Sequence, residues 1–452
     1  MAKTGKTINR QVLGVLIPVI LENALMSVSS MILTGYLGRL NVLDINAYGL
    51  ESRVYGIYFG VFAGLSVGVM IEAAKRYGSD DKNGYLRVMR ESYLFAFPIA
   101  VIVALLILWQ RRSIFSLMTS DPELIAHSSR LLARMALFFP FRAVFNICAS
   151  AFHAHGDTKT PMMVVLVGNV INVVFGYLLI FGIGNFIGLG VNGAAWSQNI
   201  SLVVMAGMEL WLLHGKKGLF RKLGADGEVK NLYDPIEVAS IFRLGIPAAL
   251  EDTLWELATI MVSKVILSYG QQAYAAYLIG LEGEFFCNTM SAGFLTGAMS
   301  LASISIGKKD KELYDAYFSS LKKVCYVITV ITMASLVLFT PQILRLMTDK
   351  DDLIRIASGY LYAMVWSQFP VHLQKVYGGF LRSGGLSRTT FVISFSGLWA
   401  VRVVLCYVFG MLLKLPIESI WWAFNIDLWY RLIVSAVVFS KKREKFDEGI
   451  VG

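Results

Sequence analysis

The chain is built from apolar runs of about 20 residues that carry few charges. A run of that length crosses the hydrocarbon of a bilayer when it is coiled as an α-helix. In hydrocarbon every backbone N–H and C=O needs an internal partner, so such runs have little choice but helix. Of the 452 residues, 56% are hydrophobic and 16% charged, whereas a soluble domain carries about a quarter charged residues. The expected class is an all-α polytopic membrane protein. Twelve spans are expected, at roughly 12–36, 46–72, 88–110, 125–153, 160–184, 190–214, 240–266, 273–305, 320–340, 353–381, 389–412 and 417–440. Residues 1–10 are polar and basic and run into a stretch long enough to span, so no cleavable leader is expected.

A second feature organises these spans. Ile17-Pro18-Val-Ile-Leu-Glu22-Asn23 returns 229 positions later as Ile246-Pro247-Ala-Ala-Leu-Glu251-Asp252. Leu117-Met118-Thr119 returns as Leu346-Met347-Thr348, and Gly156 as Gly385, at the same offset. Phe139-Pro140 returns as Phe369-Pro370, one residue further on. Landmarks in register over most of a chain mark an internal duplication. The expected organisation is a six-helix bundle over 1–214, a cytoplasmic linker over 215–236 and a second six-helix bundle over 237–452. A six-span repeat starts and ends on one side, so the halves are expected as parallel copies.

The net charge of +10 sits in alternate loops, as the positive-inside rule requires, and does not point to nucleic acid. Lys75, Arg76, Lys82 and Arg87 flank the second connection, and Lys216, Lys217, Arg221 and Lys222 follow the sixth span. Residues 182–193 and 268–276 hold no Lys or Arg. Both termini are therefore expected in the cytoplasm, in the cell membrane. Cys148, Cys287, Cys325 and Cys406 lie in apolar stretches without a CxxC pair and read as packing residues.

The stretch His155-Gly-Asp-Thr-Lys-Thr-Pro-Met162, then Asn169, Asn172, Leu179-Ile-Phe-Gly182 and Gly188-Leu-Gly-Val-Asn-Gly-Ala-Ala195, resembles the multidrug and toxic compound extrusion (MATE) transporters. Gly35-Tyr-Leu-Gly38, Gly64-Leu-Ser-Val-Gly68 and Leu244-Gly-Ile-Pro247 extend the resemblance over nearly the whole chain. It implies a V-shaped pair of six-helix bundles around a central cavity, and rocking-bundle antiport of organic cations or amphipathic drugs against H⁺ or Na⁺. It suggests a monomer without a bound cofactor, its partners being a small cationic or amphipathic substrate and the lipid bilayer. The sequence also departs from the family. An Asp that many relatives carry in the first span falls here on Ser30, and a second acidic position falls on Gly176, after Asn172. A Glu of another branch falls on Trp255, beside Glu256, and its tenth-span Asp falls near Val371 and His372.

A charge inside a span costs several kcal/mol, so each one is a functional candidate. Glu22 and Glu251 are the repeated pair. Asp252 and Glu256 stand four apart on one helix face, where two carboxylates cannot both ionise cheaply. Glu284 aligns with an acidic position of the nearer relatives. These five are the candidate ion-coupling or substrate residues, with Na⁺ at the same carboxylates as the one metal to consider. Arg402, Lys264 and Arg53 are the candidate counter-ions. Glu51 and Glu282 read as interfacial, His372 as a packed histidine, and His153 and His155 as part of a cytoplasmic loop. Pro18 and Pro247 are expected to kink matching helices beside the carboxylates.

No Gly-X-X-X-X-Gly-Lys-Ser/Thr motif is present, which disfavours ATP hydrolysis. No His-Glu-X-X-His or Gly-X-Ser-X-Gly motif supports an enzyme. Two readings remain: an ion-driven exporter of small cationic or amphipathic molecules, and a flippase for lipid-linked oligosaccharide or polysaccharide precursors.

Overall fold

The computed structural model describes residues 5–184, 186–215, 218–223, 234–345, 347–348 and 350–451. Most of the expected linker, residues 224–233, lies outside the described residues, as do Lys3, Lys216, Lys217 and Leu346 and the side chain of Cys287.

Each of the twelve expected spans is helical. In the first half these are α1 (Gly5–Leu37), α2 (Val42–Gly78), α3 (Lys82–Ser116), α4 (Pro122–Ala136) with α5 (Phe139–His155), α6 (Lys159–Phe181) and α7 (Val191–His214). A two-residue hairpin pairs Gly182–Ile183 with Phe186–Ile187 between α6 and α7. A single turn, α8 (Leu219–Lys222), follows. The second half holds α9 (Pro235–Leu267), α10 (Gln271–Gly307), α11 (Lys311–Arg345), α12 (Asp351–Val365) with α13 (Gln368–Ser383), and α14 (Ser387–Phe395). Helix α14 runs through π-helical turns at Ser396–Val403 and Val408–Leu412, on either side of α15 (Val404–Tyr407), and α16 (Glu418–Val451) closes the chain. Among the described residues, eight helices are long and apolar enough to cross a membrane alone, and the bent α4–α5 pair makes nine. Helices α7, α9 and the α12–α13 pair are not among them, and α12 and α13 are only 15 and 16 residues long.

The breaks in these helices have local causes. Proline has no N–H to donate and crowds the preceding turn. Helices α4 and α5 meet at 46° just before Pro140, and α12 breaks from α13 just before Pro370. Helices α5 and α13 both stop one or two residues before a glycine with φ 82, Gly156 and Gly385, a left-handed conformation that other residues adopt at a cost.

The chain forms two compact units, Leu21–Gly245 and Met1–Ile20 with Ile246–Gly452. The divisions fall within α1 and α9, beside Pro18 and Pro247. Lipid tails are as apolar as leucine, so helix association in a membrane relies on close packing at small residues. In the first unit, Gly68 of α2 lies against the Ile241 carbonyl of α9, and Gly245 lies against Leu65 and the Gly64 carbonyl. In the second, Gly293 and Gly297 of α10 lie against Ile20 and Leu16 of α1. Gly68 and Gly297 are 229 apart, and so are Gly64 and Gly293, so the duplication reaches into the packing.

Candidate functional site

The second unit contains a cavity of about 430 Å³ enclosed by α9, α10, α12, α13, α14 and α16. Its apolar wall includes Trp255, Phe391, Phe395 and Phe424, and its charged lining is Glu251, Asp252, Glu284, Lys375, Arg402 and Arg431. Glu251 stands four residues after Pro247, on the face of α9 that meets α13 and α14. Arg382 of α13 donates to Glu251 Oε2 at 2.6 Å, and Ser394 of α14 donates to Oε1 at 2.8 Å. Both carboxylate oxygens are therefore held. Asp252, the next residue, is exposed into the cavity and makes no hydrogen bond or ion pair with the described residues. Lys375 of α13 faces both carboxylates without an ion pair to either.

A second charge group closes the cavity beside α16. Asp427 is fully buried. Arg431, one turn on, binds it through Nε at 2.7 Å and Nη2 at 2.6 Å, and Arg402 Nε lies 2.8 Å from the same carboxylate. Arg402 belongs to the π-helical turn Ser396–Val403. A π turn widens the helix and re-aims its side chains, and the Arg402 guanidinium also lies 4.6 Å from the centre of the Phe424 ring. Gly397 permits the approach, because a Cβ there would collide with Asp427 and Arg431. Glu284 is buried, and Tyr360 donates to it at 2.6 Å while the Gln368 amide lies at 3.4 Å.

The first unit has a smaller cavity, about 290 Å³, lined by Ser29, Ser30, Glu51, Arg142, Asn169 and Asn172 among others. Arg142 donates twice to the Tyr55 hydroxyl, at 2.9 and 2.6 Å. Glu51 is 2% exposed, and its Oε1 has no hydrogen-bond partner among the described residues. Ser30 and Gly176, where the resemblance led one to look for acids, are neutral residues. Deeper in the same unit, Glu22 of α1 lies 3.2 Å from Nε2 of His153, in the last turn of α5. Glu209 of α7 is fully buried, and neither of its oxygens has a hydrogen-bond partner among the described residues.

The structure thus brings Glu251, Asp252 and Glu284 to one cavity and places Glu22 in the other unit. Glu256 is half-buried on α9, outside the cavity lining. Among the candidate counter-ions, Arg402 faces Asp427, while Lys264 and Arg53 are exposed. Glu282 is exposed, and His372 is buried with Nδ1 3.1 Å from the Thr329 hydroxyl. Sequence reasoning passed over Arg382, Lys375, Asp427, Arg431 and Glu209, and placed His153 in a loop. The repeat held a usable signal for two of them, since His153 and Arg382 are 229 apart, the offset of Glu22 and Glu251.

The MatE family model matches the chain twice, over residues 18–178 and 247–408. The chain belongs to the MatE family. The two matches begin at Pro18 and Pro247, the prolines of the repeated motif. Among curated relatives, the "Probable multidrug resistance protein YoeA" of Bacillus subtilis is 26% identical over 423 residues, covering 90% of this chain and 88% of its own. The "Probable multidrug resistance protein NorM" of Thermotoga maritima is 23% identical, covering 97% and 94%. Among solved structures, an outward-facing multidrug resistance MATE family transporter of the MOP superfamily superposes with a TM-score of 0.89 at 18% identity, over 99% of both chains. A MOP superfamily transporter from Pyrococcus furiosus, described as having a binding pocket of reversed polarity, superposes at 0.87, also with 18% identity and 99% coverage of both. The chain is a multi-pass membrane protein of the MATE multidrug efflux family with the MATE fold.

Proposed function

We propose that this MatE protein is a secondary antiporter that exports small cationic or amphipathic molecules in exchange for H⁺ or Na⁺, by alternating access of rocking bundles in the cell membrane. The carrying observation is the 430 Å³ cavity of the second unit, whose lining sets aromatic side chains beside Asp252, a carboxylate without a hydrogen bond or ion pair among the described residues. The aromatic rings suit an amphipathic body, and the carboxylate suits a cationic head or a coupling ion. Glu251 is held by Arg382 and Ser394, so binding of a cation at Asp252 or exchange of partners at Glu251 changes the charge of one connected group. Both termini lie in the cytoplasm under this reading, the protein acts as a monomer, and it needs no bound cofactor. The flippase alternative calls for a surplus of positive charge to meet a pyrophosphate. The cavity lining instead holds acids and bases in equal number, three of each.

The test is efflux of a fluorescent organic cation from proteoliposomes under separate H⁺ and Na⁺ gradients. Wild type is expected to export under at least one gradient, and Glu251→Gln and Asp252→Asn to lose most of that export. A wild type that exports nothing under either gradient, while scrambling lipid-linked head groups, would overturn the antiporter reading in favour of the flippase.

A further inference from the structure

The two halves solve the same electrostatic problem with different chemistry. Glu22 and Glu251 correspond at an offset of 229, and so do their partners, His153 and Arg382. The same offset relates Asn146 to Lys375. The second unit therefore balances its carboxylates with two cations. An arginine keeps its charge at any physiological pH. The first unit has in their places a histidine and a neutral amide. It also has one more buried acid, Glu209, where the second unit has Val438. Asn146 Nδ2 is itself buried without a hydrogen-bond partner among the described residues.

Glu209 makes this imbalance acute. It is 0% exposed on a helix of the bundle, it has no hydrogen-bond partner among the described residues, and the charge of Glu22 acts on it. An ionised carboxylate in such a place costs several kcal/mol unless it is paired, whereas the neutral acid costs far less. With no cation acting on Glu209 among the described residues, its charge has to be balanced by protons, either on a carboxylate or on the imidazole of His153. Imidazole changes its charge between about pH 5 and 8. The titratable groups of this cluster include Glu22 of α1, Tyr85 and Tyr93 of α3, Cys148 and His153 of α5 and Glu209 of α7, with Tyr77 of α2 beside Tyr85 and His214 of α7 beside Tyr93.

We propose that Glu22, His153 and Glu209 form the proton-binding site of this transporter, making H⁺ the coupling ion and the first unit its carrier, while the Glu251–Arg382 pair serves the substrate cavity. The proton sits as O–H on a carboxylic acid or N–H on the imidazolium, loads at low pH and leaves at high pH, and no other bond is made or broken. The proposal rests on the antiport reading for its role in transport, and on the geometry alone for the existence of the site.

Two measurements test it. The first is infrared spectroscopy of the purified full-length protein in nanodiscs, titrated with acid and base without substrate. Wild type is expected to show a buried carboxylic-acid C=O band that Glu209→Gln removes. The second is proton release into weakly buffered solution when ethidium is added. His153→Arg, which copies the second repeat, and Glu209→Gln are each expected to lose this release. His153→Arg is also expected to lose the pH dependence of export. Monodisperse gel filtration and a retained melting transition show that each variant folds, and Glu22→Gln replaces any that does not. A wild type without a band sensitive to Glu209→Gln overturns the site. Export driven by Na⁺ alone, without proton release, overturns the proposal and leaves the antiport reading standing. If wild type exports nothing, the antiport reading fails, and the infrared titration still decides the site.

Discussion

Asp427→Asn tests how far one buried carboxylate holds the second unit together. In the wild type Arg402 Nε and Arg431 Nη2 lie 2.8 and 2.6 Å from the same oxygen, Asp427 Oδ2. The two cationic nitrogens are therefore no more than about 5.4 Å apart, the sum of those distances. Asparagine keeps the shape and removes the charge, so two guanidinium groups face each other unneutralised. At an effective dielectric constant of about 20, two unit charges at that separation repel by about 3 kcal/mol. This agrees with the roughly 3–5 kcal/mol measured when one partner of a buried pair is removed. A loss of about 3 kcal/mol corresponds to a fall in Tm of roughly 6–12 °C for a unit of this size. The assay is thermal unfolding in detergent, run beside the double variant Asp427→Asn, Arg402→Gln. The double variant removes one of the two cations and is expected to recover most of the loss. An Asp427→Asn protein that melts with the wild type would refute the reasoning, and so would a double variant that melts lower than the single one.

Four further outcomes are expected. Gly397→Ala drives a methyl group into Asp427 and Arg431 and is expected to lose about 1–3 kcal/mol in the same melting assay. Gly359→Ala, which meets open space within α12, is expected to be neutral or to gain up to about 1 kcal/mol. Tyr360→Phe removes the 2.6 Å donor to Glu284 and is expected to cost about 1–3 kcal/mol, the range for leaving a buried acceptor unmet. Glu237→Gln weakens the links to Arg76 Nε at 3.0 Å and Arg87 Nε at 2.8 Å, and hydrogen exchange is expected to quicken in the first turns of α9.

The helices were legible because bilayer thickness and backbone hydrogen bonding leave an apolar run of this length few alternatives. The break before Pro370 was missed, since 353–381 was read as one span, although the missing N–H is written in the residue itself. Glu22 and Glu251 stood out because the duplication repeats them. Their partners were harder to find. Arg382 is 131 residues from Glu251 and falls just beyond the end of the expected span 353–381. Asp427 and Arg431 are one turn apart in a helix whose other charges cluster at its basic end, so they read as an ordinary surface pair. Only packing shows that Asp427 is fully buried and that Arg402 reaches it from a π-helical turn, for which no sequence signal was read. Glu209 was overlooked because one acid near the end of a span resembles an interfacial one. Its burial comes from the helices around it.

The membership of α1 and α9 in the two compact units sets an order on biosynthesis. The unit Leu21–Gly245 lacks part of its wall until α9 begins to emerge, more than half-way through translation. The other unit takes in the chain through Ile20, which is made before any of Leu21–Gly245, and is completed only with α16. The opening turns of α1 must therefore wait through the synthesis of some 225 residues before the helices they belong with exist. A nascent chain in that interval carries an unsatisfied helix face in the membrane, a natural place for insertion factors to act. A gene cut between the repeats would encode two fragments, each missing a piece of the unit it mostly contains.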